Sequence, residues 1–355
     1  MFLIRQATTN DLKGLKHLAS VFNTVNLPND EGILKNLLEV SADSFSGKIE
    51  SPGDREYVFV MEDPQTQQLV GTSMVIAQHG HRDAPHIFFD VRQVERYSET
   101  IDKLFKHKVL QIGFSYDGPT EIGGLVLDPN YRGRPGKLGK QLSYIRFLFI
   151  AMHREFFRER LLAELLPPLT DHGHSKLWEA CGRRFTGLSY QEADKISKDN
   201  KEFIKGLFPA GPIHASLFAE SAQEVIGQVG KNTKGVQKML EKIGFHYVNR
   251  VDPFDGGPHF EAQTDGIWPV NESRSVQFSV VDKGRIHEVS GESAEGLVAR
   301  EESATGEGFV SGYAAFRFTD NDPNVIQIAN EDAAALGIEN GGSGWILPFV
   351  WQTRR

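Results

Sequence analysis

The chain has 355 residues and a formal net charge of -8, and 39% of its residues are hydrophobic and 24% charged. Its length exceeds one average domain, and its hydrophobic content is sufficient for a buried core. The acidic balance argues against nucleic acid as a partner, because no basic patch is large enough to neutralise several phosphates. No apolar run of roughly 18 residues is present, so no membrane span is expected.

Cysteine usage and the N-terminus indicate the compartment. The single cysteine, Cys181, excludes an intrachain disulfide and a thiolate metal site. Residues 1–12 contain too short an apolar run for a signal peptide, so we expect a cytoplasmic protein. His172 and His174 have a metal-like spacing, but no cysteine or further carboxylate completes a site nearby, and no metal is expected.

The first 80 residues predict a strand, a helix and a hairpin. The segment FLIR (2–5) is a short apolar strand, and the helix after it has leucines at helical spacing. The β-rich segments YVFVMED (57–63) and LVGTSMVIAQ (69–78) are joined by a polar turn, which predicts an antiparallel hairpin.

The middle of the chain alternates strands and helices. EIGGLVLDP (121–129) predicts a strand, and a loop rich in glycine and basic residues, NYRGRPGKLG (130–139), follows it. A long apolar helix is predicted over 140–157. LLAELLP (161–167) predicts the next strand and HSKLWEACG (174–182) a short helix ending at glycine.

From about residue 270 the helical periodicity disappears, and short strands alternate with Gly/Ser/Glu turns. The segment VIQIANEDAAALGIENGGSGWILPF (325–349) resembles the closing repeat of a double-psi β-barrel. We therefore predict a small barrel domain over 271–355. Residues 1–270 would form the other region, with a core over 1–190 and an extension over 191–270.

The strongest local signal is the loop between the predicted strand at 121–129 and the long helix. It contains three glycines and the basic residues Arg132, Arg134, Lys137 and Lys140. Glycines allow close backbone approach to an anion, and the N–H groups at a helix start bind phosphate oxygens. The alternative interpretation is a solvated basic turn at a helix N-terminus.

The order of these elements, and the start M-x-x-I-R-x-A-x-x-x-D-L, resemble the GNAT-type N-acyltransferases. The resemblance implies an α+β fold in which a mixed twisted sheet is flanked by helices. It also implies that the loop holds the coenzyme A pyrophosphate, although Lys137 stands where the first glycine of the motif belongs. The coenzyme-A-binding residues that it implies are Leu125, Val126, Leu127, Arg134, Gly136, Lys137, Gly139 and Lys140.

A narrower resemblance, over nearly the whole chain, is to the bacterial arginine N-succinyltransferase family. It rests on segments such as GLVLDPNYR (124–132), GRRFTGLSYQEAD (182–194) and VDPFDGGP (251–258). The family resemblance implies transfer of a succinyl group from succinyl-CoA to the α-amine of arginine, in arginine catabolism. It implies direct amine attack in a ternary complex, with Leu125 contacting succinyl-CoA.

One position departs from that family. Its proposed proton donor is a histidine after I-G-x-V, whereas this chain has IGQVGKNT (226–233), with Gly230 at that position. Two alternatives therefore remain: a GNAT acyltransferase with a different acyl-CoA or amine acceptor, or a non-catalytic CoA-binding paralogue. A homo-oligomer, or pairing with a related subunit, is expected.

Further candidate residues lie in segments that resemble the family's substrate region. His214 and His259 are candidate catalytic groups, and a structural or surface role is the alternative for each. Asp252 and Glu261 are candidates to pair with a guanidinium, whose planar fork matches a carboxylate. The segment 255–257 (DGG) also predicts a simple turn.

Overall fold

The computed structural model describes residues 1–21, 27–81, 84–170, 173–286, 293–319 and 322–352. His172 lies outside the described residues. The chain forms two compact units, each assembled from separate segments. Unit 1 consists of Met1–Ala77, Ile122–Glu159 and Thr264–Arg355, and unit 2 consists of Gln78–Glu121 and Arg160–Gln263. The predicted division of the chain into regions 1–270 and 271–355 stays a prediction.

Unit 1 contains the strands of the N-terminal and C-terminal segments of the chain. Its strands are β1 (Leu3–Gln6), β2 (Glu56–Glu62), β3 (Leu69–Ile76), β11 (Arg274–Val281), β12 (Ser293–Arg300), β13 (Val310–Phe318), β14 (Val325–Ala329) and β15 (Ser343–Gln352). Its helices are α1 (Leu12–Val21), α2 (Glu31–Phe45), α3 (Leu138–Met152), α10 (Trp268–Asn271), α11 (Lys283–Ile286) and α12 (Asn330–Leu336). Strand β6 (Thr120–Leu127) begins in unit 2 and continues into unit 1.

Unit 2 is built from the intervening segments. Its strands are β4 (His86–Ser98), β5 (Lys103–Ser115), β7 (Arg160–Glu164), β8 (Ile213–His214), β9 (His246–Val251) and β10 (Pro258–Gln263). Its helices are α4 (Lys176–Ala180), α5 (Gly182–Thr186), α6 (Tyr190–Asp199), α7 (Glu202–Leu207), α8 (Glu220–Gln223) and α9 (Lys234–Glu241).

The predicted hairpin of unit 1 is confirmed, because β2 and β3 pair antiparallel from Glu56–Ile76 to Glu62–Leu69. Strand β1 pairs antiparallel with β2 on one side and with β13 on the other. Both hairpin strands are almost continuous runs without apolar–polar alternation, and they are buried on both faces over most of their length. Aromatic rings then fill the space against α2 and α3, with Phe149 in edge contact with Phe45, Phe59 and Phe309.

The C-terminal strands of unit 1 close into a barrel. Strand β11 pairs with β14 and β15, β12 pairs with β13 and β15, and β13 pairs with β14. The pairing therefore returns to its starting strand, which removes unpaired edges. The β11–β14 pair is parallel and the others are antiparallel. The predicted small C-terminal barrel is confirmed at this level.

Unit 2 is a mainly antiparallel sheet. Strands β4 and β5 form a long hairpin, and β4 also pairs with β9 through Phe89–Val251 and Asp90–Arg250. Strand β10 lies between β9 and β7, and β7 pairs in parallel with the first residues of β6. A core containing Trp178 and Cys181 packs below this sheet, so Cys181 is a core residue as predicted.

No helix among the described residues is long and apolar enough to cross a membrane.

Candidate active site

The first candidate element is the kink in β6 that precedes the predicted thioester contact. Gly124 has a φ of +56°, and a Cβ there would lie 2.7 Å from the Met74 side chain, so the close approach requires glycine. The buried side chain of Arg146 in α3 donates to the carbonyl oxygen of Gly123 at 3.2 Å. Thr120 and Glu121 are in register with β7, so residues 125–127 lie beyond the part of β6 that pairs with β7. On its other side β6 neighbours β3 in the sheet.

The loop after β6 turns through two left-handed residues into α3. Gly136 has a φ of +95° and Lys137 a φ of +58°, and Lys137 is the N-cap of the helix. The amide nitrogens of Lys140 and Gln141 donate to the carbonyl of Lys137 at 2.8 and 3.0 Å. The earlier amides of the first turn have no intrahelical acceptor, as at every helix start. A Cβ at Gly139 would meet nothing nearer than Leu127, at 3.8 Å. This geometry fits an anion at the helix N-terminus.

The basic side chains of the loop differ in their surroundings. The Arg134 guanidinium lies 3.9 Å from the ring centroid of Tyr131, and its Nε donates to the carbonyl of Asn130. The Lys140 ammonium lies among aromatic rings, 4.2 Å from the centroid of Phe349 and 4.8 Å from that of Tyr144. Burial lowers the pKa of Lys140. Arg132, Arg134 and Lys137 are exposed, whereas Lys140 is partly buried.

Unit 2 contains a cluster of histidines and glutamates that the sequence did not predict. The His79 Nδ1 atom lies 2.7 Å from a Glu121 carboxylate oxygen, and the His86 Nε2 atom lies 3.1 Å from Oε1 of Glu164. His259, 0% exposed on β10, stacks on His86 with centroids 5.2 Å apart and places Nε2 3.3 Å from the same oxygen. Glutamates inside the apolar strands at 121 and 164 were the sequence signal that could have revealed the cluster.

Burial and neighbouring charges shift the pKa values of His79 and Glu164 in opposite directions. Burial lowers the pKa of His86 to about 3, with a further contribution from His79. Burial would also lower the pKa of His79, but the Glu121 carboxylate beside it raises that pKa overall. The pKa of Glu164 is lowered, because the neighbouring histidines outweigh the effect of its burial. Burial lowers the pKa of His259. An ionised Glu164 and a neutral His86 follow.

The segment 252–257 forms the predicted turn. The Asp252 Oδ1 atom accepts hydrogen bonds from the amides of Phe254 and Asp255, at 2.7 and 3.0 Å, and Asp255 Oδ1 accepts from the Gly257 amide at 2.7 Å. Gly256 has a φ of +84°, which explains the glycine. Burial and the negative charge of Glu164 raise the pKa of Asp252 to about 7. Burial and Asp252 raise the pKa of Asp255 well above its usual value.

Two other predicted residues lie outside the histidine cluster. The Glu261 carboxylate is 2.9 Å from Nη1 of Arg160 and 3.8 Å from Nη1 of Arg250, so it already faces two guanidinium groups of the chain. His214 is exposed on β8, with its ring 6.1 Å from that of His107. Substrate binding by Glu261 and Asp252, and catalysis by His214 and His259, stay predictions.

Gly230 lies against the backbone of the segment that follows β7. Its amide donates to the carbonyl of Leu166 at 2.8 Å. A Cβ at this position would lie 2.8 Å from the carbonyl oxygen of Pro167 and 3.1 Å from that of Leu166. Any side chain here therefore requires the backbone to move. A surface cavity of about 470 Å³ is lined by the adjacent residues 227–229, and none of the predicted site residues lines it.

The mixed α/β fold and the kinked strand, glycine-rich loop and helix start define a GNAT-like acyltransferase. A family model described as arginine N-succinyltransferase beta subunit matches residues 2–268. The chain therefore belongs to the arginine N-succinyltransferase family, as its sequence motifs predicted.

Individual relatives agree with this assignment along the whole chain. The arginine N-succinyltransferase of Yersinia pseudotuberculosis (serotype O:3, strain YPIII) is 31% identical over 373 aligned positions, which cover 100% of both chains. That of Photorhabdus laumondii is 33% identical over 282 positions, covering 79% of this chain and 81% of the relative. The structure of arginine/ornithine succinyltransferase subunit AI from Pseudomonas aeruginosa superposes with a TM-score of 0.81 and 27% identity, covering 98% of each chain.

The raised pKa of Asp252 predicts a specific pH dependence of stability. A carboxyl whose pKa rises from 3.8 to about 7 on folding holds its proton more tightly in the folded chain. The folded state therefore loses stability as the pH rises through this range, by about 1.4 kcal/mol for each tenfold difference in proton affinity between the folded and unfolded chain. Asp252→Asn keeps an oxygen that can accept from the two amides, so we expect a smaller loss of stability between pH 5 and pH 8.

The measurement is the free energy of unfolding of both proteins by urea titration at several pH values. At pH 8 the variant should be more stable than the native chain, and near pH 4 the difference should vanish. Asp54→Asn, at an exposed position, is the control and should not change the pH profile. An identical profile for Asp252→Asn and the native chain would mean that Asp252 is ionised in the folded state.

The close contacts of Gly230 predict that the histidine of the family cannot simply be restored. Gly230→Ala and Gly230→His should each lower the free energy of unfolding by about 1–3 kcal/mol, the usual cost of overpacking. Gly235→Ala is the matched control, because a Cβ there meets nothing within 4 Å and alanine favours a helix. Equal stability of Gly230→Ala and Gly235→Ala in urea unfolding would contradict the contact argument.

Proposed function

We propose that this chain transfers a succinyl group from succinyl-CoA to the α-amine of arginine. The family supplies the reaction class, and the arginine N-succinyltransferases of Yersinia and Photorhabdus carry the donor group and the acceptor in their names. The observation that carries the proposal is the segment from Gly124 to Lys140. This segment contains a kink, three further left-handed residues and the start of a helix, which leave backbone amides for one extended, anionic ligand.

In this proposal the amides at the start of α3 bind the pyrophosphate of coenzyme A. Arg134 and Lys137 add positive charge, and the absence of a side chain at Gly139 lets the phosphates approach the backbone. The backbone of residues 125–127 lies after the kink and beyond the part of β6 that pairs with β7. Its N–H groups would hold the thioester carbonyl and stabilise the oxyanion as the amine attacks.

The amine attacks the thioester carbon directly, and the bond from that carbon to the coenzyme A sulfur breaks. The products are the N-succinyl amide and the free thiol, and the amine loses one proton. No covalent acyl-enzyme is needed, and Cys181 is excluded as a nucleophile because it is buried and burial raises its thiol pKa to about 12. Holding both substrates in line supplies much of the rate.

Gly230 favours one alternative, in which the donor or the acceptor differs. The family's proposed proton donor is absent here, and the backbone contacts at 166–167 leave no room for a side chain. The same observation is compatible with a CoA-binding subunit that pairs with a related chain, since the structural relative from Pseudomonas aeruginosa is described as subunit AI. Assembly as a homo-oligomer or with a related subunit belongs to the proposal.

The test is release of free thiol from succinyl-CoA and acetyl-CoA with a panel of amino acids, including arginine and ornithine. Release with succinyl-CoA and arginine supports the proposal. Release with another pair favours the altered specificity. Saturable coenzyme A binding without thiol release in any combination supports the non-catalytic subunit.

The binding half of the proposal predicts the effect of a negative charge in the loop. Gly139→Asp should weaken coenzyme A binding by about 10–100-fold, because like charges brought together cost several kcal/mol. The space around Gly139 accepts a Cβ, and an acidic residue in the first helical turn favours the helix, so folding should be retained.

Isothermal titration calorimetry with coenzyme A measures the effect, and Gly139→Asn is the control of matched size without charge. The asparagine variant should lose much less affinity than the aspartate variant. Unchanged coenzyme A affinity of Gly139→Asp would contradict the assignment of the coenzyme A pyrophosphate to this loop.

A further inference from the structure

We propose that His79, His86 and Glu164 bind a divalent transition-metal ion of the zinc class. One donor atom from each residue lies within 4.8 Å of the other two. Two imidazoles and one carboxylate are a donor set that holds zinc in enzymes and leaves a fourth position open. All three residues belong to unit 2.

The separation of the donor atoms is close to that of a tetrahedral site. Zinc bonds of about 2.0–2.2 Å place the ligand atoms of a tetrahedron roughly 3.3–3.5 Å apart. The His86 Nε2 atom is 3.1 Å from Oε1 of Glu164, so this edge of the tetrahedron exists with almost no rearrangement. The rings of His79 and His86 contact each other with centroids 4.3 Å apart, and each of the other donor-atom separations is at most 4.8 Å.

The backbone segments that carry His79 and His86 pack closely against each other. The His79 amide donates to the carbonyl of Pro119 at 2.8 Å. Gly80 has a φ of +84°, and a Cβ there would lie 2.5 Å from both the backbone nitrogen of His86 and the carbonyl oxygen of Ser115. Only glycine permits this approach, which holds the two histidines together before any ion binds.

Glu121 supplies the outer partner that metal-bound histidines usually have. Its carboxylate is 2.7 Å from Nδ1 of His79, and the glutamate is 2% exposed. A carboxylate on one ring nitrogen fixes the ring orientation and leaves Nε2 as the donor to a metal. With Glu164, this places two carboxylates around the ion and favours a positive charge at the centre.

His259 is the independent observation that points to a ligand. It is 0% exposed, and neither of its ring nitrogens makes a hydrogen bond to a described residue, although Nε2 is 3.3 Å from Oε1 of Glu164. A buried polar group without a hydrogen bond costs about 1–3 kcal/mol. An ion or its bound water beside Glu164 would give this imidazole a partner.

The donor set also selects the type of metal. Imidazole nitrogens suit zinc, cobalt, nickel and copper, whereas magnesium and calcium prefer sites built from oxygen ligands. The sequence-based expectation that no metal binds considered His172 and His174, which are not members of this cluster. The three ligands of the proposed site include Glu164, which is far from His79 and His86 in the sequence.

The test is metal binding to the full-length chain, stripped with a chelator and then titrated with Zn²⁺ in competition with a chromophoric chelator. We expect about one equivalent to bind, and His86→Ala and Glu164→Gln to lower the affinity at least about 100-fold. Loss of an outer partner typically costs about 10–100-fold, which is the effect expected for Glu121→Gln. Co²⁺ should give the intense visible absorption of a tetrahedral site, and Mg²⁺ should not compete.

His107→Ala is the control, because half-buried His107 and exposed His214 form a histidine pair outside the cluster. This variant should retain the native affinity. Glu164→Gln keeps the size of the side chain, so it tests the ligand even where His86→Ala disturbs folding. No Zn²⁺ binding to the native chain, or equal affinity of the native chain and Glu164→Gln, would overturn the proposal.

Discussion

The carboxylate of Glu164 is the interaction on which the site in unit 2 depends. It ends β7, and its Oε1 atom faces Nε2 of both His86 on β4 and His259 on β10. A buried carboxylate is unfavourable unless neighbouring groups compensate for its lost hydration. The imidazoles provide that compensation here and lower the pKa of Glu164. Burial raises the pKa of Asp252, and the negative charge of Glu164 raises it further.

Strand β6 connects this cluster to the proposed coenzyme A segment through the covalent chain. Its residue Glu121 pairs with His79, and residues 125–127 of the same strand carry the predicted thioester contact. The kink at Gly124 separates these two parts of the strand. Arg146 in α3 binds the carbonyl of Gly123 next to the kink, and its burial lowers its pKa to about 9. A short stretch of one strand thus contains an ion-pairing residue, a backbone distortion and a segment without a β7 partner.

The elements that local pattern predicts are those that the structure contains. The hairpin at 57–78, the strand at 121–129, the long helix and the C-terminal barrel strands all follow from apolar periodicity and glycine turns. The long helix ends at Met152 rather than at 157, because the chain passes through a 3-10 turn at Arg154–Phe156.

Elements and sites that depend on distant partners could not be predicted in this way. The β4–β5 hairpin escaped prediction because many of its side chains are exposed and polar, so its strands lack an apolar run. The histidine cluster escaped because His79, Glu164 and His259 meet only through strand pairing, where His259 lies in register with Glu164. A pairing register is a property of the sheet, and a single sequence contains no local signal for it.

The glycine at 230 matters less for the chemistry than its position in the family motif suggests. A proton donor helps most when the leaving group is a strong base, and a thiol with a pKa near 8.5 leaves readily as the thiolate. An α-amine with a pKa near 8 is only about one-tenth neutral at pH 7, and this neutral fraction is the form that attacks the thioester. The demanding step is then the alignment of amine and thioester and the stabilisation of the oxyanion, which backbone groups perform. If the segment from Gly124 to Lys140 binds coenzyme A as proposed, this chain keeps the backbone groups for that step although it lacks the histidine.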